Sequence, residues 1–193
     1  MGRKLSEMSL EELWQLFPII LTEHQDAWAA WYREEEYELA QILPAQHTVC
    51  ISHVGSTAVT GIQAKPIVDI LAEITPGYSM KSIERILCGN GWLCMSRNER
   101  RMSFNKGYTE SGFAERVFHL HLRYAGDNDE LYFRDYLREH PDIAKEYEQL
   151  KLSLRKRFEH DRDGYTDAKS EFVKRYTDEA KSLYGKRYSE KRE

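Results

Sequence analysis

Cysteine is scarce, and its three copies, Cys50, Cys88 and Cys94, have no paired spacing. An odd, unpaired set excludes a disulfide framework and a structural zinc knuckle, and the thiols are expected to be reduced and mostly buried. Proline is equally sparse, at five residues, and no segment is of low complexity or repeated at a fixed period, so neither a disordered chain nor a solenoid is expected. No run approaches the roughly 18 apolar residues of a membrane span, and residues 1–17 mix Arg3, Lys4, Glu7, Glu11 and Glu12 among their apolar positions, unlike a signal peptide. A cytoplasmic protein without a membrane partner is the expectation. Charge of one sign is also missing: 28 basic against 32 acidic residues give a net charge of -4, which removes the global cationic field that would argue for nucleic acid as the main partner.

What is present is the composition of an ordered globular domain, 41% apolar and 31% charged over 193 residues. Ser9 and Glu12 stand at capping-box spacing before Leu13, Leu16 and Phe17, and Pro18 ends that turn. A longer helix is expected over 22–43, with Trp28, Trp31, Tyr32, Glu35 and Leu39 recurring at three- and four-residue intervals as a core stripe. Short β-rich runs follow at 48–54 and 66–74, then a crossover helix at 81–88 stopped by Gly89-Asn90-Gly91, and strands at 92–96, 102–106 and 117–124. In the last of these Phe118, Leu120 and Leu122 alternate with His119, His121 and Arg123, so the two sets face opposite ways. Helices are expected over 131–140, 143–159 and 167–183, joined at Pro141 and at 161–164. The expected organisation is N-terminal helices over 1–46, a core with C-terminal helices over 47–184, and a frayed polar tail over 185–193.

The chemistry concentrates between His53 and Glu73. Gly55-Ser56-Thr57 follows directly on a strand, where backbone N–H groups and two hydroxyls can meet an anion, although such a turn also serves as a plain tight turn. Asp69 is a lone acid within the apolar run 66–71, and must be solvated, paired or bound to a metal. Leu71, two residues on and about 6.7 Å away on the same strand face, has no oxygen to offer, and Glu73 at about 13 Å is a poor co-ligand. His119 and His121 share a strand face and are the best source of further ligands; with them the preference moves from magnesium towards manganese or zinc. The bland alternative is a pair of half-exposed histidines. Lys65, Lys106, Arg101 and Arg123 lie beside these strands as candidates to neutralise a polyphosphate, and His53 either orients Ser56 or is a buried hydrogen-bonded histidine.

The segments 53–61 and 65–70, the His119-Leu120-His121 strand, residues 133–138 with His140-Pro141, Tyr147 with Leu150-Lys151, and Tyr165 with Lys169 together resemble the GrpB-like family, over roughly residues 51–172. The resemblance implies membership of the nucleotidyltransferase superfamily: an α+β fold with a mixed β-sheet flanked by helices and a helical C-terminal segment. It implies Gly55 and Ser56 at the phosphate end, Asp69 on the metal-bearing strand, and His119, His121, Arg134, Tyr165 and Lys169 lining the cleft; together with the residues read above, phosphate binding is expected at Gly55, Ser56, Thr57, Lys65, Lys106, Arg134, Tyr165 and Lys169, and catalysis and metal binding (Mg, Mn or Zn) at Asp69, His119 and His121. The implied ligands are a nucleoside triphosphate and an unidentified small-molecule acceptor. Family fusions to dephospho-coenzyme A kinase imply an enzyme of coenzyme A biosynthesis as a partner. The chain departs from the pattern at Thr60, where the family has proline, and at Leu71, where the superfamily has a second acid. A metal-dependent nucleotidyltransferase is the leading expectation, a catalytically inactive nucleotide- or metabolite-binding module the second, and a phosphoesterase using the two histidines the third.

Overall fold

The computed structural model describes residues 4–188. Its order is α1 (Leu10–Leu16), α2 (Ala27–Ile42), β1 (Thr48–Val54), β2 (Val68–Ile74), α3 (Met80–Gly89), β3 (Leu93–Arg97), β4 (Arg101–Thr109), β5 (Gly112–Tyr124), then α4 (Asp129–Glu139), α5 (Pro141–Phe158), α6 (Arg162–Asp167) and α7 (Ser170–Tyr184). The five strands form one mixed sheet in the order β1-β2-β5-β4-β3, with β2 parallel to β5 and every other pairing antiparallel. This is the expected α+β fold: a mixed sheet flanked by helices, with a helical C-terminal segment.

Strand alternation sets the two faces. Val68, Ile70, Ala72 and Ile74 of β2 join Phe118, Leu120 and Leu122 of β5 in the main core, against Trp28 and Leu39 of α2 and Ile83 and Leu87 of α3. The opposite face carries Asp69, Leu71 and Glu73 in register with His119, His121 and Arg123. Leu71 is fully buried there between Val54 and Leu131 of α4, while Tyr132, Phe133, Tyr136 and Tyr147 close a second apolar cluster among the C-terminal helices.

Most elements lie where the sequence puts them, and the capping box on α1 is made in both directions, by Ser9 and Glu12. The helix expected over 22–43 instead begins at Ala27, because Thr22 exchanges both backbone hydrogen bonds with Ala64, at 2.9 and 3.0 Å. The segment expected as a joint at 161–164 starts a short helix, with the Asp161 side chain accepting from Gly164 N–H at 2.8 Å. The cysteines are free thiols but not mostly buried: Cys88 is exposed and the other two are intermediate. Residues 185–188, expected to fray, turn back on α4, where Tyr188 meets Tyr132 edge-on and hydrogen-bonds Asp135. The remainder of the expected tail, 189–193, lies outside the described residues. No described helix is long and apolar enough to cross a membrane.

Candidate functional site

Because β1 and β2 are antiparallel, the end of one meets the start of the other, and Val54 pairs with Asp69. The chain then turns at Gly55, with φ 70° and ψ -172°, a conformation essentially restricted to glycine. A methyl group on Gly55 would overlap Asp69 Oδ2 and come within 2.9 Å of its Cβ and Cγ. The glycine is therefore what allows the carboxylate to lie against the main chain.

Parallel pairing with β5 brings the histidines to the same carboxylate. His119 Nδ1 lies 3.3 Å and His121 Nε2 3.5 Å from Asp69 Oδ1, with the Asp69 side chain 27% exposed. Burial acts to raise the Asp69 carboxyl, yet hydrogen bonds from the two imidazoles hold it well below the usual carboxylate range. His119 is itself shifted downwards, first by burial, against the pull of Asp69. The two directions agree on one state, an ionised Asp69 accepting from a neutral His119. A carboxylate only accepts, so Nδ1 carries the hydrogen and Nε2 is free to accept the Tyr108 O–H at 2.8 Å. The Tyr108 oxygen in turn accepts from Arg162 at 2.8 Å. His121 keeps its Nδ1 without a hydrogen-bond partner among the described residues.

Helices α5 and α6 and the residue before α7 build the facing wall. Lys65 and Lys169 hold their ammonium groups over the Tyr165 ring at 5.5 and 4.5 Å, and Lys151 lies 4.9 Å over the Tyr147 ring. The Tyr147 hydroxyl lies close enough to Ser56 for that side chain to act on it, so this wall faces the Gly55 turn. Burial, reinforced by Lys169 and Arg162, lowers Lys65 to about 7; burial and Lys169 lower Lys151 to about 7, and burial lowers Lys169 to about 8. Among the described residues none of these lysines, nor Arg162, has a carboxylate within ion-pair distance.

Of the residues singled out from sequence, the structure brings together Gly55, Ser56, Lys65, Asp69, His119, His121, Tyr165 and Lys169. Three belong elsewhere. Lys106 lies on the opposite face of the sheet, bonded to Glu35 Oε1 at 2.7 Å and Oε2 at 2.9 Å and to Glu38 at 3.2 Å. Thr57 turns its hydroxyl inwards, meeting His53 Nε2 at 3.0 Å and donating to Ile67 O at 3.3 Å, so that hydroxyl fastens the turn. Arg134 is spent on Asp135 at 2.7 Å, the His53 carbonyl at 3.0 Å and Tyr188 at 3.3 Å, and it holds the end of β1. Arg101 and Arg123 are likewise occupied, by Asp127 and Glu130, and Glu73 accepts from Gly126 N–H and Asn128. His53 is the buried hydrogen-bonded histidine of the two alternatives, bonded to Thr57 and not Ser56.

The sequence reading missed Tyr108, Tyr147, Lys151 and Arg162 as site residues. For Tyr108 a signal was present in Gly107: glycine inside a strand pattern marks a bulge, and a bulge changes which face the next side chain takes.

The fit to a divalent metal is partial. One carboxylate and two imidazoles suit manganese or zinc more than magnesium, and the 3.3 and 3.5 Å donor separations match the edge of roughly 3.3 Å expected for tetrahedral ligands at about 2.0 Å. Among the described residues, however, no three such side chains are arranged to hold an ion.

The family described as GrpB protein matches residues 18–179. A UPF0157 protein of Pseudomonas aeruginosa, PA4798, is 42% identical over 65% of this chain and 52% of its own length, so the match spans about half of that relative. The glutamate-rich protein GrpB of Alkalihalophilus pseudofirmus is 34% identical over 80% of this chain and 91% of its own length. The crystal structure of the conserved protein GrpB from Enterococcus faecalis superimposes with a TM-score of 0.72 at 30% identity, covering 86% of this chain and 99% of that one.

Proposed function

The chain belongs to the GrpB family, and from that premise we propose that it is a nucleotidyltransferase-like protein whose cleft binds a nucleoside triphosphate with a divalent metal and transfers a nucleotidyl group to a small molecule. The observation that carries the reading is the convergence of Lys65, Lys151, Lys169 and Arg162, none of them paired with an acid, around a single ionised carboxylate at a glycine turn. Cations so placed suit a polyphosphate, whose charge they stabilise in a water-poor cleft.

The lysines and Ser56 would hold phosphate oxygens. Asp69 would hold the metal, which would supply Lewis-acid polarisation of the phosphoryl group, and an imidazole would join it only by giving up its hydrogen bond to that carboxylate. His119 is fixed by Asp69 and Tyr108 and has no nitrogen left for substrate. His121 has an open Nδ1 and is the imidazole able to take the acceptor's proton as pyrophosphate leaves. The acceptor belongs to no class that these contacts define.

Leu71 favours a second reading, a nucleotide-binding module without turnover that docks on an enzyme such as the coenzyme A biosynthetic partner implied by family fusions. Its position is filled by apolar packing, so a second carboxylate has no place there, and one acid neutralises a divalent cation poorly. Pyrophosphate release from a nucleoside triphosphate, assayed with manganese, zinc or magnesium and a panel of acceptors, decides between the two. Release that disappears in Asp69→Asn supports the enzyme; nucleotide binding without release supports the module; absence of nucleotide binding under every condition defeats both.

A further inference from the structure

One buried group has no use in the scheme above. Tyr165 is 1% exposed, and its hydroxyl has no hydrogen-bond partner among the described residues. Buried hydroxyls are normally paired, and one that is not marks a missing partner. The Tyr165 ring lies under the ammonium groups of Lys65 and Lys169 and the Tyr147 ring under that of Lys151, so the unpaired hydroxyl belongs to the wall that carries the lysines. The lysines around it share its condition. Lys151 donates only to the Gln63 carbonyl, and Lys65 and Lys169 have the Tyr165 ring as their neighbour and no acceptor among the described residues. Three ammonium groups gather about the Tyr165 and Tyr147 rings, and the acids near them are already engaged, Asp69 by two imidazoles and Glu148 by Lys145 and the Gln63 N–H.

We propose that Lys65, Lys151, Lys169 and the Tyr165 hydroxyl form a site for a dianionic phosphate group that binds without any metal. The group is either free inorganic phosphate or the terminal phosphate of an ester, since both present the same oxygens to the same donors. The inference rests on the reading that this wall holds the ligand's phosphates, and it adds that the lysines suffice for that without the Asp69 metal. A set of three ammonium donors and a hydroxyl able to donate, with no carboxylate in ion-pair reach, fits an anion whose oxygens can each take more than one hydrogen bond. Like charges this close are tolerated where an anion completes them, and their basicity, lowered to about 7 or 8 in the empty cleft, recovers when it does. Binding at pH 8 therefore takes up protons.

Titration calorimetry of the full chain in excess EDTA, with inorganic phosphate and with AMP as probes and in two buffers of different ionisation enthalpy, tests this. The expected result is saturable binding of at least one probe below about 10 mM, with a heat that differs between buffers in the sense of proton uptake. Lys169→Met should weaken it roughly tenfold or more and Tyr165→Phe roughly threefold, each checked by circular dichroism for an intact fold. Tighter binding of AMP than of phosphate identifies the ester as the source, and the reverse identifies free phosphate. No binding in EDTA, binding restored only by manganese, or full affinity in Lys169→Met overturns the proposal. Asp69→Asn separates it from the transferase reading: metal-dependent pyrophosphate release is lost there while phosphate binding in EDTA persists.

Discussion

Replacing Gly55 by alanine asks how much of the site depends on one missing methyl group. Two separate effects follow from the structure. The first is backbone strain, because φ 70° with ψ -172° is a region that residues with a Cβ avoid, at a cost of about 1–3 kcal/mol, partly offset by about 0.4–1 kcal/mol from a stiffer unfolded chain. The second is contact: the new methyl would sit 2.9 Å from both Cβ and Cγ of Asp69. Asp69 Cβ is fixed by β2, in register between Val54 and His119, so rotation of the side chain does not relieve the clash and the turn itself must move, adding about 1–3 kcal/mol of overpacking. Gly61 is the internal control. Its φ is 78°, yet a methyl there meets nothing within 4 Å, so Gly61→Ala reports conformational strain without the contact. Urea unfolding at pH 7 should place Gly55→Ala below Gly61→Ala by at least about 1 kcal/mol. Carbon-13 titration of the Asp69 carboxyl should show it rising towards the ordinary range as His119 and His121 lose it. Equal stabilities for the two variants, together with an unmoved Asp69 titration, would refute the claim that Gly55 exists to admit the carboxylate.

Lys106→Met should destabilise the fold by about 2–3 kcal/mol, because it leaves Glu35 at 5% exposure without its cation, while phosphate affinity stays within experimental error; weaker ligand binding at unchanged stability would return Lys106 to the site. His53 gives a pH signature. Burial lowers it to about 4, with Arg138 and Arg134 adding to the shift and Asp69 opposing it, so between about pH 6.5 and 4 the unfolded chain binds a proton that the folded chain refuses. Its contribution is complete above pH 6.5 and is lost as pH falls towards 4, by up to about 3 kcal/mol at 1.36 kcal/mol per pKa unit, and His53→Gln should flatten the stability profile in that window. A profile of unchanged slope would show that His53 is not the titrating group. Tyr108→Phe removes the donor to His119 Nε2, and nitrogen-15 spectra should then show that ring losing its single Nδ1–H tautomer; persistence of that tautomer would mean that Asp69 alone sets it.

Local periodicity made much of this fold legible. β1 follows from the β-branched run beginning at Thr48, and the split of β5 into Phe118, Leu120 and Leu122 against His119 and His121 follows from alternation alone. Parity on β5 placed the histidines on one face, and the observed register then set Asp69 beside them. The sequence could not supply that register, because parallel neighbours β2 and β5 are joined through α3, β3 and β4, and nothing local says which residues meet. Thr22 failed for a related reason. Its helical surroundings are a local preference, and the two hydrogen bonds with Ala64 that override it come from a segment some forty residues away.

The exchange of Lys106 for Tyr108 shows where alternation breaks and why that matters for the site. In a regular strand both would point the same way, since they are two apart. The register of β4 against β5 slips between them, and Gly107 makes the slip feasible: its φ is 90°, and a methyl there would overlap the Arg116 carbonyl and stand 3.1 Å from Val117 Cα. Before the bulge, Lys106 pairs with Phe118 and follows the core face to Glu35 on α2; after it, Tyr108 lies on the face of His119. Plain alternation with Met102 and Phe104 sends Lys106 away from the cleft, and the glycine after it brings in the phenol that, with Asp69, fixes the tautomer of His119. A charged residue beside a histidine strand looks like a ligand when only distance along the chain is counted. Parity excludes Lys106 and the bulge admits Tyr108, so a glycine within a strand pattern is the position beyond which a parity argument about a site should be suspended.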